Sequence, residues 1–297
     1  MKHPQLIFGI ALVLASEFAF ALLSALVRHL SEEVSQVQII FFRNLFALLP
    51  LLPWLLKRRG EALRTNYFHL HLLRGITGLS AMFIYFYAIA TTSLVNAAMV
   101  LMLAPFFIPI IAHLWLKQAQ NIASLFSVGL GFFGAFVCLN AKISGVGAPL
   151  SFTTGSLILV GAMLIGLSKS SISKMSSSEP SQRIVFYFAL IGVLVSALLL
   201  PFNWQAISWT NLALLVLLGC CASAAQLMMT KAFSFAGATT IGMYSYSSIL
   251  FAALLGFAWW AEIPSLQWFV GASLIVTAGF ITLFYANKLT RITDDDK

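Results

Sequence analysis

Ten hydrophobic runs, each about 18–24 residues long, follow one another along the 297-residue chain. A helix of about 20 apolar residues crosses the hydrocarbon core of a bilayer, whereas barrel strands are about half as long and alternate in polarity. Lipid offers no hydrogen-bonding partners, so each run must satisfy its own backbone groups as a helix. The runs cover residues 6–27, 37–56, 70–90, 94–116, 122–139, 155–172, 184–202, 211–233, 238–261 and 266–286. The sequence therefore predicts an all-α integral membrane protein with ten transmembrane helices.

The composition excludes a soluble fold. Hydrophobic residues make up 60% of the chain and charged residues 9%, against about 45–50% and 25% in soluble domains. The cysteines Cys138, Cys220 and Cys221 all lie inside apolar runs, which predicts neither a disulfide framework nor a metal site. The first run lacks a small-residue cleavage site and is expected to be retained as a helix.

The positive charges are distributed unevenly between the loops. With the N-terminus placed in the cytoplasm, fourteen Lys and Arg residues fall in cytoplasmic segments, and only Arg28 and Lys142 fall in outer loops. This bias follows the positive-inside rule and predicts that both termini are cytoplasmic. It also explains the net charge of +8 without any anionic ligand. The expected partners are the lipid bilayer and a small-molecule substrate. Because no basic face of a folded domain is present, nucleic acid is not an expected partner.

The ten runs form an internal repeat with a shift of 144 residues. The runs that begin at residues 94 and 122 recur as the runs that begin at 238 and 266. Five is an odd number, so the second copy must insert upside down relative to the first, as in many secondary transporters. We therefore predict a first five-helix repeat over residues 1–140, a linker over 141–154, a second inverted repeat over 155–290 and a polar tail over 291–297.

Short motifs accompany this repeat. In this sequence they are Ile40-Phe41-Phe42-Arg43, Asn96-Ala97-Ala98, Ala104-Pro105-Phe106, Lys231-Ala232, Ala236-Gly237-Ala238 and Trp260-Ala261-Glu262. Together with the helix number they make nearly the whole chain resemble the drug/metabolite transporter superfamily, in its EamA-domain branch. That family often ends the ninth helix with Gly-Glu, which Glu262 matches, whereas the first copy departs from the pattern at Lys117-Gln118. The resemblance implies transport of small metabolites and does not identify the substrate.

Glu17 is the most informative single residue. It lies eleven residues into the first run, which places it about 16 Å deep at a rise of about 1.5 Å per residue. An acid in the middle of a bilayer core is costly and indicates a functional site. Phe20 and Ser24 share its helix face. Two interpretations stay open, namely that Glu17 binds substrate or protons, and that it is the structural partner of Arg43.

Further candidates are polar or aromatic residues on helix faces that are expected to point inward. Thr240, Tyr244 and Ser248 recur at helical spacing in the ninth run. Gln226 in the eighth run needs polar partners in lipid. Helix packing is the alternative explanation for these residues. The predicted substrate-binding or coupling set is Glu17, Phe20, Ser24, Tyr85, Asn96, Met99, Gln226, Thr240, Tyr244 and Ser248, with Arg43 as a structural or pairing residue.

Enzymatic chemistry has little support in the sequence. No nucleotide-binding motif, His/Cys metal spacing or cluster of catalytic acids is present, so we expect no catalytic residues, metal or cofactor. The sequence predicts a secondary transporter of the bacterial cytoplasmic (inner) membrane, acting as a monomer or homodimer. Its substrate is expected to be a small polar metabolite (an amino acid, an amine or a nucleoside-like compound), moved by coupling to protons, by exchange or down its own gradient. The alternatives are a membrane-embedded enzyme and a passive channel.

Overall fold

The computed structural model describes residues 3–92, 94–116, 122–141, 143–144, 152–235, 241, 244–245 and 247–295. Within these ranges the chain is almost entirely helical. In chain order the α-helices are α1 (His3–Leu30), α2 (Gln36–Ala47), α3 (Leu52–Arg58), α4 (Phe68–Thr91), α5 (Leu94–Ala97), α6 (Met99–Leu116), α7 (Ile122–Leu139), α8 (Phe152–Met175), α9 (Ser181–Leu199), α10 (Trp209–Ala232), α11 (Ser247–Trp260) and α12 (Leu266–Asp295).

Helix lengths and composition confirm the predicted all-α membrane protein. Among the described residues, six segments are long and apolar enough to cross a bilayer: Ile7–Leu30, Gln36–Arg58, Phe68–Thr91, Phe152–Met175, Ser181–Phe202 and Trp209–Ala232. Four shorter apolar helices accompany them: Met99–Ile108, Gly129–Cys138, Leu250–Trp260 and Leu266–Ala278. Many large apolar side chains remain exposed on the outer faces of these helices. Such faces suit lipid contact, since hydrocarbon solvates them as well as a protein core does.

Two of the predicted helices are interrupted. The run over residues 37–56 forms α2, a 3₁₀ turn over Leu49–Leu51 and then α3. Pro50 and Pro53 lie at this break, where each removes a backbone donor from the helical ladder. The run over residues 94–116 divides at Ala98 into α5 and α6. At the C-terminus α12 continues to Asp295, through most of the segment that we predicted as a polar tail.

Two loops bind each other at one end of the bundle. Ser35 forms a capping box at the start of α2, and Ser208 caps α10 by accepting a hydrogen bond from the Asn211 amide. The Ser35 hydroxyl also donates to the Asn203 carbonyl oxygen at 2.7 Å. The Gln38 side chain donates to the Gln205 carbonyl oxygen at 2.8 Å. These contacts fix the entry of α2 against the entry of α10, which positions both helices around the bundle interior.

Helix contacts in the first half of the chain correspond to contacts in the second half. α1 packs against α10, and α4 packs against α8. α6 also packs on α8, as α11 does on α1. Helices α2 and α9 contact each other, and so do α7 and α12. At the bundle end a two-residue strand, β1 (Ile143–Ser144), pairs antiparallel with β2 (Ile263–Pro264).

Helices α7 and α12 approach each other closely at two glycines. A Cβ atom on Gly134 would lie 2.7 Å from the Gly271 carbonyl oxygen, and a Cβ on Gly271 would lie 2.6 Å from the Gly134 carbonyl oxygen. Both obstacles are backbone atoms, which cannot rotate away as a flexible side chain would. The absence of side chains at these two positions therefore allows the helices to cross closely.

We expect Gly134→Ala to lower the free energy of unfolding by about 1–3 kcal/mol, because overpacking forces the two helices apart. Gly129→Ala is the matched control on the same helix, since nothing lies within 4 Å of a Cβ there. That control should be neutral or stabilising by up to about 1 kcal/mol through the better helix propensity of alanine. Thermal unfolding in detergent measures both, and equal midpoints would contradict the close crossing.

Candidate functional site

A cavity of about 140 Å³ lies inside the bundle. It is bounded by helices from both halves of the chain, α1, α2, α4 and α6 on one side and α8, α9 and α10 on the other. Its described lining residues are Glu17, Phe20, Leu23, Ser24, Arg43, Arg74, Gly78, Ala81, Met82, Tyr85, Phe86, Leu101, Ile165, Ser168, Lys169, Ile172, Phe188, Leu218, Gln226 and Met229. Charged groups thus converge with aromatic and aliphatic walls, which is typical of a binding site for a small ligand.

Glu17 forms an ion pair across the cavity with Lys169. The Lys169 ammonium lies 3.4 Å from Glu17 Oε1 and donates a second hydrogen bond to the Ser245 hydroxyl at 2.9 Å. Only 3% of Glu17 and 7% of Lys169 is exposed, so both charges are removed from bulk solvent. Pairing offsets the high cost of burying each charge alone. The pair joins α1 to α8, and through Ser245 it also reaches the polar segment that precedes α11.

A hydroxyl pair lies about two turns further along α1. Ser24 Oγ donates to the Phe20 carbonyl oxygen at 2.7 Å and lies 2.7 Å from Tyr85 Oη. Because the single Ser24 proton is used on the carbonyl oxygen, Tyr85 is the donor to Ser24. Phe20, Ser24 and Tyr85 therefore share one wall of the cavity, and these predicted site residues lie together with Glu17.

Two arginines also line the cavity. Arg43 Nη1 donates to Asn44 Oδ1 at 2.9 Å, and Arg74 Nη2 donates to Gln226 Oε1 at 3.1 Å. Both guanidinium groups lie near the Phe188 ring, at 5.5 Å for Arg43 and 3.8 Å for Arg74. Gln226, a predicted site residue, is thus a partner of Arg74.

In the structure Glu17 does not pair with Arg43, which was one of its two interpretations. Its ion-pair partner is Lys169, and Arg43 contacts the neutral amide of Asn44 instead. Asn44 is oriented for this contact because its amide nitrogen donates to the Ile40 carbonyl oxygen at 2.8 Å. Glu17 and Lys169 meet because both side chains line the same cavity, although their helices belong to different halves of the chain.

Several predicted site residues lie away from the lining. Asn96 is in α5, and Met99 at the start of α6 is fully buried in the hydrophobic core. Tyr244 is partly buried against a hydrophobic cluster, and Ser248 donates to the Ser245 carbonyl oxygen at 2.7 Å. Thr240 lies outside the described residues. The polar segment of the ninth run reaches the charged site through Ser245, next to the tyrosine that we singled out.

Sequence reasoning missed Arg74 and Lys169, which it counted among the cytoplasmic charges. Both are nearly buried, with 4% and 7% of their surface exposed. Each lies six residues inside the end of its helix, α4 or α8, or about 9 Å at about 1.5 Å per residue. The predicted helices were shorter than α4 and α8 by two and three residues at these ends. The distance of each cation from its helix end was the signal that could have identified it. Among the described residues, no group of three His, Cys, Asp or Glu could hold a metal ion.

The sequence profile of the EamA-like transporter family matches residues 7–140 and 153–284. The chain belongs to this family. The predicted relationship to the drug/metabolite transporters is therefore confirmed, and the protein is an integral membrane transporter by descent.

The proteins that this chain resembles are named as transporters of different solutes. The chain is 28% identical to the pseudopaline exporter CntI of Pseudomonas aeruginosa, over 91% of this chain and 94% of that protein. It is 27% identical to a riboflavin transporter of Vibrio cholerae, over 98% of each. An S-adenosylmethionine uptake transporter of Rickettsia felis is 25% identical, over 88% of this chain and 87% of that protein. A crystal structure with 18% identity shares the fold, with a TM-score of 0.62 over 97% of this chain and 99% of the other.

Proposed function

We propose that this protein is a secondary active transporter that moves a small polar metabolite across the bacterial cytoplasmic membrane by alternating access. The observation that supports this most is the cavity between the two halves, lined by Glu17, Lys169 and two arginines. A site near the middle of the bundle, between repeats, is the arrangement expected of alternating-access carriers. The bacterial transporters among its relatives favour the cytoplasmic membrane.

We further propose ten membrane-crossing helices arranged as two inverted five-helix repeats, with both termini in the cytoplasm. The corresponding helix contacts support this arrangement, because exchanging the halves converts the α1–α10 contact into the α4–α8 contact. The same exchange maps the contact of α2 with α9 onto itself. An inverted repeat provides two related conformations, one open to each side.

Glu17 is the proposed coupling residue. A proton or a cationic substrate group that reaches Glu17 competes with the Lys169 ammonium for the same carboxylate. Loss of the ion pair would then free α1 to move against α8, since among the described residues this pair is the polar link between the two helices at the cavity. An ion gradient or an exchanged solute could supply the energy for this competition.

Polar links between the halves occur at both ends of the bundle. Arg28 pairs with Glu262, which also accepts a hydrogen bond from the Leu94 amide just beyond α4. Just before α4 begins, Thr65 donates to Glu179 at 2.6 Å, and Arg183 pairs with the same carboxylate at 2.6 Å. In alternating access, one of these two sets of links must open in each half of the cycle.

Counterflow in proteoliposomes tests this function. Purified protein is reconstituted with a high internal concentration of an unlabelled amino acid or nucleoside, and entry of a trace of the labelled compound is followed. A metabolite first identified by thermal stabilisation of the protein should accumulate transiently above equilibrium, because a bound solute stabilises the folded state by mass action. Entry without saturation or overshoot would indicate a channel, and chemical conversion of the compound would indicate an enzyme.

A further inference from the structure

Arg43 and Arg74 are two buried cations for which the described residues provide no acidic partner. Their exposed fractions are 5% and 4%. The ion pairs among the described residues are Arg28 with Glu262, Lys169 with Glu17, and Arg183 with Glu179. Neither cavity arginine takes part in them. A buried charge normally requires an opposite charge or full hydrogen bonding, so this pair calls for an explanation.

The groups that contact the two guanidinium groups are neutral. Arg43 donates to the Asn44 amide and Arg74 to the Gln226 amide. The Nε atom of Arg74 is buried without a hydrogen-bond acceptor among the described residues. The face of Phe188 offers both arginines a cation–π contact, which is a weaker compensation than an anion. Among the described residues, donor capacity of the Arg74 guanidinium group therefore remains unused.

Charge balance within the cavity supports the same conclusion. The described lining residues carry three cations, Arg43, Arg74 and Lys169, and Glu17 as the acid. Glu17 already pairs with Lys169. Since both guanidinium carbons lie close to the centroid of the Phe188 ring, they are at most about 9 Å apart, a distance at which like charges in a low-dielectric interior repel each other. An anion placed between the two arginines would relieve this repulsion.

We propose that Arg43 and Arg74 form a binding subsite for an oxyanion group, a carboxylate or a phosphate, of the transported solute. Guanidinium groups match the geometry of these oxyanions through paired N–H donors. The neighbouring Phe86, Met82 and Phe188 provide apolar walls for the remainder of the solute. This inference rests on the proposed transport function, and it narrows the substrate class to organic anions and zwitterions, excluding simple amines.

Two glycines make room for the Arg74 guanidinium group and for the Asn44 amide that contacts Arg43. A Cβ at Gly78, one turn after Arg74 on α4, would overlap Arg74 Nη1 and lie 2.9 Å from Ser168 Oγ. A Cβ at Gly192 would lie 2.5–2.7 Å from the amide atoms of Asn44, the partner of Arg43. The space that the Arg74 guanidinium group and the Asn44 amide occupy therefore depends on a missing side chain nearby. Such preformed positioning is expected of a binding group and is not needed for a charge that simply reaches the membrane surface.

Ligand-induced thermal stabilisation of the full-length protein in a neutral detergent tests the subsite. Two matched pairs of probes differ in their anionic group, phenylacetate against phenylacetamide and adenosine monophosphate against adenosine. At least one anionic member should raise the unfolding temperature more than its neutral counterpart. Arg43→Gln and Arg74→Gln should each increase the concentration needed for that shift by about tenfold or more, as expected for loss of a charged hydrogen bond. Equal shifts, or none, for the anionic and neutral members would overturn the proposal.

Control variants separate binding from a structural role. Arg64→Gln removes an exposed cation outside the cavity lining and should leave the probe response unchanged. Without probe, the unfolding temperatures of the Arg43 and Arg74 variants should stay the same or rise, because an uncompensated buried charge is removed. A large drop in that temperature together with an unchanged probe response would assign the arginines to structure and overturn the subsite.

A lipid headgroup carries the same oxyanion chemistry and is distinguished in a separate arm. Phosphatidylglycerol replaces the soluble probes, with phosphatidylcholine as the control lipid. Stabilisation that depends on Arg74 and occurs with phosphatidylglycerol alone would overturn the solute subsite. Because binding is measured without transport, failed counterflow with retained arginine-dependent probe binding would refute the transport mechanism and leave the subsite intact.

Discussion

Replacing Glu17 with glutamine is expected to reduce substrate flux into proteoliposomes by about two orders of magnitude, because a charged interaction of about 3 kcal/mol corresponds to a roughly hundredfold change. Glu17→Gln keeps the shape of the side chain and removes the carboxylate that pairs with Lys169. Proton or cation coupling at this position would be lost. Flux measurements and thermal unfolding of the same preparation are compared.

Stability should change much less than flux. Removing one partner of a buried ion pair costs about 3–5 kcal/mol when the site is dry. Here Lys169 keeps its hydrogen bond to Ser245, and the adjoining cavity of about 140 Å³ is large enough to hold water beside it. The unfolding temperature of Glu17→Gln is therefore expected to fall only slightly.

The double variant Glu17→Gln/Lys169→Gln distinguishes coupling from structure. If the pair only stabilises the fold, the double variant should recover both stability and flux, as a double-mutant cycle would report. If Glu17 is the coupling acid, the double variant stays inactive. Glu32→Gln, at an exposed acid in a loop, is the matched control and should keep full flux. A stable, fully active Glu17→Gln would remove Glu17 from the mechanism and leave Tyr244 and its polar neighbours as the remaining hypothesis.

Much of the architecture could be predicted because lipid imposes a simple rule on sequence. A long apolar run has to be a helix, and its depth follows from the rise per residue. The same rule identified Glu17 as a buried acid and placed Phe20 and Ser24 on its face. The structure brings these residues together with Tyr85 and Gln226 around one cavity. Individual helices and the residues on one helix face are local properties, and local properties are readable from sequence.

The partners of Glu17 and Gln226 could not be predicted, because they depend on contacts between distant helices. Lys169 lies 152 positions from Glu17 along the chain, and Arg74 lies 152 positions from Gln226. Both cations sit near predicted helix ends, where a basic residue is usually explained by the membrane surface. A shift of two or three residues in the helix boundary moves such a side chain from the interface into the bundle.

The helix interruptions illustrate a second limit. Pro50 and Pro53 lie within an apolar run, and hydropathy alone does not distinguish a continuous helix from α2, a 3₁₀ turn and α3 in sequence. Proline marks the location of such a break, but neighbouring helices decide whether the freed backbone groups are satisfied. The division of the fourth run at Ala98 has no comparable signal in the sequence.

Removing the Glu262 carboxylate is expected to have the largest effect on stability. Glu262 is fully buried, pairs with Arg28 and accepts a hydrogen bond from the Leu94 amide at 3.2 Å. The Arg28 guanidinium also lies 4.6 Å from the centroid of the Trp260 ring. A single carboxylate thus joins the ends of α1 and α11 to the start of α5. Glu262→Ala leaves Arg28 and the Leu94 amide without this acceptor.

We expect Glu262→Ala to lower the free energy of unfolding by about 3–5 kcal/mol, the usual cost of breaking a buried ion pair from one side. Arg28→Gln should cost less, because 19% of the Arg28 side chain is exposed and the remaining acid can still accept from Leu94. A substitution at the neighbouring Ala261 should change stability in the opposite direction, because its φ of 52° lies in the left-handed region. Ala261→Gly should stabilise by about 1 kcal/mol, because glycine adopts this conformation without the Cβ clash. Thermal unfolding measures all three variants, and a Glu262→Ala protein as stable as the parent would contradict a buried carboxylate that links these helix ends.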